Sequence, residues 1–271
     1  WGLLSTAGIN VAMVGPMHRS NRSELVAVAS RTLEKSRAFA VKNNIPKAYG
    51  NYEELIEDPE VDVIYNPLPN TLHAEWTIRS VKAGKHVMCE KPIAVDATEA
   101  RAVVQRCQEL GITLMEAFQY RFAERNLRAQ KIVESGRLGG PRLVKASFNV
   151  RVPHDPNNIR NKKELAGGAL SDIGCYCVGM ARFIYQEEPL RVLSHLTFDE
   201  EFEVDMTGFV TMEFANGKFA LLDYSKENHG RPVLAVSYTH LRAPETEAEL
   251  ECRLLLDKKK GGGGGGGGGG G

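Results

Sequence analysis

Up to Arg121 the sequence alternates short apolar runs with longer amphipathic stretches, and this alternation constrains the fold more than any other feature. Leu3-Leu4 reads as the end of a strand that begins at or before Trp1. Residues 24–30 (Glu-Leu-Val-Ala-Val-Ala-Ser) form an apolar, partly β-branched run between polar residues, the pattern of a buried strand. Further strands are expected at 61–65, 86–89 and 113–116, and helices at 34–44, 52–57, 73–83 and 98–110. The helices have visible stops at Ile45-Pro46, Asp58-Pro59, Gly84 and Gly111. Strands that alternate with helices pair in parallel through right-handed crossovers, so this region is expected to be a doubly wound α/β domain.

After about residue 122 the pattern changes. A helix over 124–135 stops at Gly136, and longer strands follow at 142–152, 191–198, 207–214 and 218–224, with a helix at 174–185 among them. Asn216-Gly217 is a hairpin signal, because a two-residue type I′ turn needs positive φ at both positions. The expected architecture is α/β followed by an α+β domain with an open, mainly antiparallel sheet, divided as 1–121, 122–235 and 236–271. The last segment is set apart because residues 261–271 are all glycine, which buries nothing and prefers no backbone conformation. Residues 236–260 resemble a translated sequencing-adapter tail, although 246–260 also has the spacing of a short amphipathic helix. On the tail reading the second domain is C-terminally incomplete, with an unpaired sheet edge and an apolar face. The literal chain is then expected to be poorly soluble or inactive.

Composition removes several classes of function. Lys plus Arg and Asp plus Glu each number 34, so neither nucleic acid nor an anionic membrane is an expected partner. No apolar run reaches the roughly 18 residues that span a bilayer. The five cysteines, Cys89, Cys107, Cys175, Cys177 and Cys252, have neither zinc-site nor disulfide spacing and read as reduced thiols of a cytoplasmic protein. The seven histidines include no His-x-x-x-His pair, so no metal is expected.

The turn after the first strand is where a dinucleotide-binding fold places Gly-x-Gly-x-x-Gly. Here it reads Ser5-Thr6-Ala7-Gly8-Ile9-Asn10, with Ser, Ala and Asn at the three glycine positions. Small residues still permit a tight turn, a helix N-terminus still attracts phosphate, and Ser5 and Thr6 add hydroxyl donors. Taken alone, the segment reads equally well as an ordinary strand-to-helix turn. The second strand ends in Ser30-Arg31, where an NAD-preferring fold carries Asp or Glu for the ribose 2′-hydroxyl. A hydroxyl and a guanidinium suit a 2′-phosphate that a carboxylate would repel, so NADP is expected over NAD. The plainer alternative is a solvated surface arginine.

Four further segments fall in one order: Pro67-Leu68-Pro69-Asn70 with His73, Cys89-Glu90-Lys91-Pro92 at a strand end, Met115-Glu-Ala-Phe-Gln-Tyr120-Arg121, and Gly167-Gly-Ala-Leu-Ser-Asp172-Ile-Gly174-Cys-Tyr176. Together, from Trp1 to about Tyr224, they resemble the Gfo/Idh/MocA oxidoreductases. The resemblance is greatest to the branch of NADP-dependent D-xylose 1-dehydrogenases and dimeric trans-dihydrodiol dehydrogenases. It implies a Rossmann-type nucleotide domain, hydride exchange between the nicotinamide and a sugar or dihydrodiol hydroxyl, and a homodimer for the full-length parent. It places Lys91 beside the nicotinamide and the substrate hydroxyl, a cis bond before Pro92, and Glu90 at the loop and the ribose. It assigns Ser5, Thr6, Ala7, Ile9, Asn10, Ser30, Arg31, Pro67, Leu68, Asn70 and His73 to the cofactor, and Tyr120, Arg121, Asn158 and Arg160 to the substrate. The family's Asp-x-Gly-x-His falls on Asp172, Gly174 and Tyr176, with the tyrosine that is usual in that branch.

The chemistry is consistent with these residue types. Lysine and tyrosine both start at a pKa of about 10; desolvation lowers the lysine, and a neighbouring cation lowers either. Tyr176 is therefore read as the acid/base, Lys91 as the group that tunes it and orients the hydroxyl, and Asp172 as positioning substrate or lysine. Simpler readings stay open: Tyr176 as a buried helix aromatic, Asp172 as a helix N-cap, His73 as the start of its helix. A non-catalytic NADP-binding relative also stays open; the altered phosphate loop favours it, and the joint presence of Lys91, Asp172 and Tyr176 disfavours it.

Overall fold

The computed structural model describes residues 1–230 and 232–239. The chain divides into two units: Trp1–Phe118 with His154–Asp172 and Glu200–Val204, and Gln119–Pro153 with Ile173–Asp199 and the chain from Asp205 onward.

The first unit contains β1 (Gly2–Leu4), α1 (Asn10–Arg19), β2 (Ala27–Ala29), α2 (Leu33–Asn43), β3 (Lys47–Tyr49), α3 (Tyr52–Glu57), β4 (Val63–Asn66), α4 (Asn70–Lys82), β5 (His86–Cys89), α5 (Ala97–Glu109) and β6 (Leu114–Glu116). Its sheet is wholly parallel in the order β3-β2-β1-β4-β5-β6, so the strand order reverses between β1 and β4. Successive strand residues face opposite sides. Leu3 and Val28 pack against Val14 and Met17 of α1 and Ala40 of α2. Leu4, Ala27 and Ala29 pack on the other face with Leu55, Trp76 and Val103 of α3, α4 and α5. Helices cover both faces, which is why these strands read as unbroken apolar runs rather than as alternating ones.

Two elements run against the sequence signals. α1 continues through Gly15-Pro16, a pair that usually breaks a helix. β3 is only Lys-Ala-Tyr, too short to show a period, and is defined by its pairing with β2. In addition, α4 begins at Asn70, so His73 lies inside it rather than at its start.

The second unit contains α6 (Glu124–Glu134), β7 (Pro141–Asn149), α7 (Cys175–Tyr185), β8 (Arg191–Phe198), β9 (Asp205–Phe214), β10 (Lys218–Ser225) and β11 (Val233–Tyr238). The sheet order is β11-β7-β10-β9-β8. All neighbouring strands are antiparallel except β7 and β10, which are parallel, so the sheet is mixed. The β9–β10 hairpin is present, but its loop is the three residues Ala215–Gly217 between the paired Phe214 and Lys218, with Asn216 at φ 60° and Gly217 at φ 67°, rather than a two-residue turn. In β9, Met206, Val210, Met212 and Phe214 are buried, whereas Phe209 on the other face is exposed together with Leu193 and Leu221. β11 runs past Val236 to Tyr238, pairing with β7. The polyglycine run and the alternative helix at 246–260 lie outside the described residues. Among the described residues no helix is long and apolar enough to cross a membrane.

Candidate active site

Ser5, Ser30, Pro67, Glu90 and Ala117 each directly follow a strand of the parallel sheet. They therefore collect at its carboxyl edge, where open α/β sheets bind ligands at the switch in strand order. The loop that lost its glycines still makes the tight turn. Ser5 adopts φ 71°, a left-handed conformation that glycine usually supplies. Its Oγ accepts the Ala7 N–H at 3.2 Å, and its carbonyl accepts from Asn10 Nδ2 at 2.7 Å. Asn10 is fully buried, so the residue at the third glycine position fastens the turn from inside. α1 has no side-chain cap and no acidic residue in its first turn, which leaves its positive end suited to phosphate. Beyond β2, Ser30 is buried and Arg31 is exposed, with no carboxylate at that strand end. These residues fit a dinucleotide.

The loop carrying Lys91 is braced on both sides. The Glu90 N–H donates to the Asn66 carbonyl at 2.9 Å. The Tyr65 hydroxyl donates to Glu90 Oε1 at 2.7 Å, and the Lys91 N–H to Glu90 Oε2 at 3.3 Å. The Lys91–Pro92 bond is cis, as the resemblance implies. His73, only 1% exposed, places Nδ1 2.6 Å from the Pro92 carbonyl; since a carbonyl only accepts, Nδ1 is the donor. Burial holds the His73 pKa below its ordinary value. His73 thus sits beneath the Lys91 loop. Pro67 and Leu68 are buried beside it, and Asn66 Nδ2 donates to the His73 carbonyl at 3.1 Å. Asn70 Nδ2 donates to the Ala166 carbonyl at 2.8 Å, tying α4 to the segment before Asp172.

Lys91, Asp172 and Arg160 come together. Lys91 Nζ donates to the Asp172 carbonyl at 2.5 Å and lies 3.3 Å from Asp172 Oδ1; Arg160 Nε lies 3.0 Å from Oδ2. The Lys91 and Asp172 side chains are 13% and 16% exposed, so this ion pair is largely withdrawn from water. Gly167 makes the arrangement possible: a Cβ there would meet the Arg160 carbonyl oxygen at 2.6 Å and the Lys162 oxygen at 2.9 Å. That close approach allows Gly168 N–H to reach the Arg160 carbonyl at 3.0 Å, while Asn158 accepts the Arg160 N–H at 3.1 Å. Asp172 lies in a π-helical turn, Leu170–Gly174, that leads into α7. α7 has no side-chain cap, and the Asp172 carboxylate is directed to Lys91 and Arg160 instead.

In the second unit Tyr176 occupies the first turn of α7 and is half-buried. Its hydroxyl donates to Gln119 Oε1 at 3.3 Å. Its ring meets Phe148 edge-on at 5.4 Å and Tyr120 at 6.1 Å between centroids. These residues line a cavity of about 390 Å³ with Met180, Val233 and Leu234. Gly179 leaves room for the Tyr120 hydroxyl, which would sit 2.4 Å from a Cβ there. Gly174 does the same for the Tyr224 ring, at 2.9 Å. Arg121 lies over the Phe183 ring at 5.9 Å. Gln119 had no role in the sequence reading; the available signal was its place just beyond β6, inside a motif already singled out.

A parallel sheet of this order, with Lys91 paired to Asp172 on the loop beyond β5, has the form of a dinucleotide-dependent oxidoreductase. The chain belongs to the Gfo/Idh/MocA oxidoreductase family. The family's NAD-binding Rossmann-fold model matches residues 6–118, and the Gfo/Idh/MocA C-terminal domain matches residues 126–243. The chain is 40% identical over 225 residues to D-xylose 1-dehydrogenase (NADP(+)) 2 of Haloferax volcanii, a match covering 83% of this chain and 69% of that protein. It is 34% identical over 224 residues to trans-1,2-dihydrobenzene-1,2-diol dehydrogenase of Xenopus laevis, covering 82% of this chain and 67% of that one. Among solved structures, a 3-ketoreductase from Actinomadura kijaniata in complex with NADP and TDP-benzene superposes with a TM-score of 0.81 at 28% identity, covering 88% of this chain and 73% of that one.

Proposed function

We propose that this oxidoreductase uses NADP to oxidise a hydroxyl of a sugar such as D-xylose or of a trans-dihydrodiol. The observation that carries the reading is the Asp172 carboxylate held between Lys91 and Arg160 beside the braced cis-Pro loop. A non-catalytic nucleotide binder has no need of a lysine withdrawn from water and aimed by a carboxylate. Ser5, Asn10, Ser30, Arg31 and the first turn of α1 would hold the cofactor. NADP, when bound, accepts the two electrons of the oxidation at its nicotinamide. Tyr176 takes the proton from the substrate hydroxyl. Lys91 orients that hydroxyl and favours the phenolate through its charge. Asp172 fixes the lysine, and with Arg160 it leaves two cations around one carboxylate, a setting that favours an anionic partner. His73 and Glu90 keep the Lys91 loop in place.

The reading extends to a reducing, cytoplasmic setting and a homodimer in the full-length protein. Buried thiols support the first: Cys89 and Cys177 are pushed up to about 12 by burial, which leaves them inert. The apolar sheet face of Leu193, Phe209 and Leu221 supports the second.

The test follows reduced-nicotinamide absorbance with D-xylose, D-glucose and a trans-dihydrodiol, each with NADP and with NAD. Reduction of NADP by at least one of the three, with weaker use of NAD, is expected. No reduction with any substrate defeats the enzyme reading, and equal binding of the two cofactors defeats the Ser30-Arg31 argument.

A further inference from the structure

The cavity beside Tyr176 has uneven chemistry. Its walls are the rings of Tyr120, Phe148 and Tyr176 with the aliphatic side chains of Val233 and Leu234. At the Tyr176 hydroxyl the lining turns polar, and the group there is the Gln119 carboxamide, 3.3 Å from the phenol oxygen. A carboxamide offers an acceptor and two donors from one planar group. Gln119 stands on a one-turn 3-10 helix, Gln119–Phe122, with its side chain exposed, so the amide is accessible to an incoming ligand. A 3.3 Å contact to a hydroxyl is long for an O–H···O bond and is readily exchanged for one to a substrate oxygen.

Adjacent hydroxyls on a ring, when gauche, hold their oxygens at a hydrogen-bonding separation. One can then meet the Tyr176 phenol while its neighbour meets the Gln119 amide. The cavity volume of about 390 Å³ is in the range of small-molecule sites and accommodates a single six-membered ring. We propose that Gln119 is a specificity-determining residue that binds the second hydroxyl of a vicinal diol, while the aromatic walls hold the apolar face of the ring that carries it. This rests on the reading of Tyr176 as the group that meets the reacting hydroxyl.

The experiment compares trans-cyclohexane-1,2-diol with cyclohexanol, which lacks the second hydroxyl, on the full chain and on Gln119→Met, a variant of similar length without polar atoms. Both kcat/KM and the dissociation constant in the presence of NADP are measured, so the comparison does not depend on turnover alone. The full chain is expected to favour the diol about 10-fold, the worth of one neutral hydrogen bond. Gln119→Met is expected to lose that preference, its diol-to-cyclohexanol ratio falling to about one in both kcat/KM and dissociation constant. An equal loss for both ligands, or no change for either, overturns the proposal. Tyr176→Phe separates the two readings. If that variant keeps turnover, the acid/base assignment falls, while the diol-to-alcohol binding ratio in Gln119→Met still decides the role of Gln119.

Discussion

The turn at residues 5–10 and the segment at 167–174 both force the backbone into places that side chains usually forbid, and they solve the problem in opposite ways. The first has no glycine at its three motif positions, 5, 7 and 10. Ser5 holds φ 71° itself, and the buried Asn10 side chain fastens its carbonyl. The second keeps its glycines because no side chain there fits: a Cβ on Gly167 meets backbone oxygen, and one on Gly174 meets the Tyr224 ring. A positive φ is a conformational cost of about 1–2 kcal/mol that a local hydrogen bond offsets. A Cβ driven into a carbonyl oxygen has no such remedy. Glycine is dispensable in the first case and indispensable in the second.

The sharpest way to break this contrast is Gly167→Ala. The backbone of Arg160 and Lys162 must move, and the Asp172–Arg160 pair goes with it. We expect a loss of about 3 kcal/mol, read from a urea midpoint, together with loss of activity. An unchanged midpoint would show that the close approach is not required. Next in size is Asn10→Ala, which removes a fully buried hydrogen-bonding side chain and is expected to cost about 2 kcal/mol and to weaken NADP binding. Unaltered stability and cofactor affinity would mean that Ser5 holds its turn unaided. Ser5→Gly is expected to stabilise slightly, by about 0.5 kcal/mol, since relief of the left-handed serine outweighs glycine's entropy. A comparable substitution gaining nothing would put the cost of that φ near zero.

The least of these effects concerns acid. His73 has a lowered pKa in the folded state, so below its ordinary value of about 6.5 the unfolded chain binds more protons than the folded one. Its contribution is fully present above about pH 6.5 and falls as pH drops from there toward the folded value. His73→Asn, whose amide can still donate to the Pro92 carbonyl, is expected to flatten the slope of stability against pH in that window. A slope identical to that of the parent would assign the acid sensitivity elsewhere.

Much of the first unit was legible in the sequence because α2, α4 and α5 stop at marked residues and the central strands β1, β2, β4 and β5 are largely buried. α1 was hidden by Gly15-Pro16, whose local signal was outweighed by packing of Val14 and Met17. β3 was hidden by its brevity. In the second unit the strands and the Asn216-Gly217 hairpin were visible, but the parallel β7–β10 pairing was not, since pairing between distant strands leaves no local pattern. Lys91, Asp172 and Tyr176 stood out as residue types at motif positions. The bond from Arg160 to Asp172, the steric reason for Gly167 and the neighbourhood of Gln119 are products of folding and had no signature of their own.

The proposed proton transfer rests most directly on Tyr176. NADP reduction with a sugar or trans-dihydrodiol, followed for the parent and for Tyr176→Phe, tests it while NADP affinity is measured on both. A fall in kcat of about 100-fold or more with an unchanged NADP dissociation constant is expected. A variant that turns over at the parent rate contradicts it.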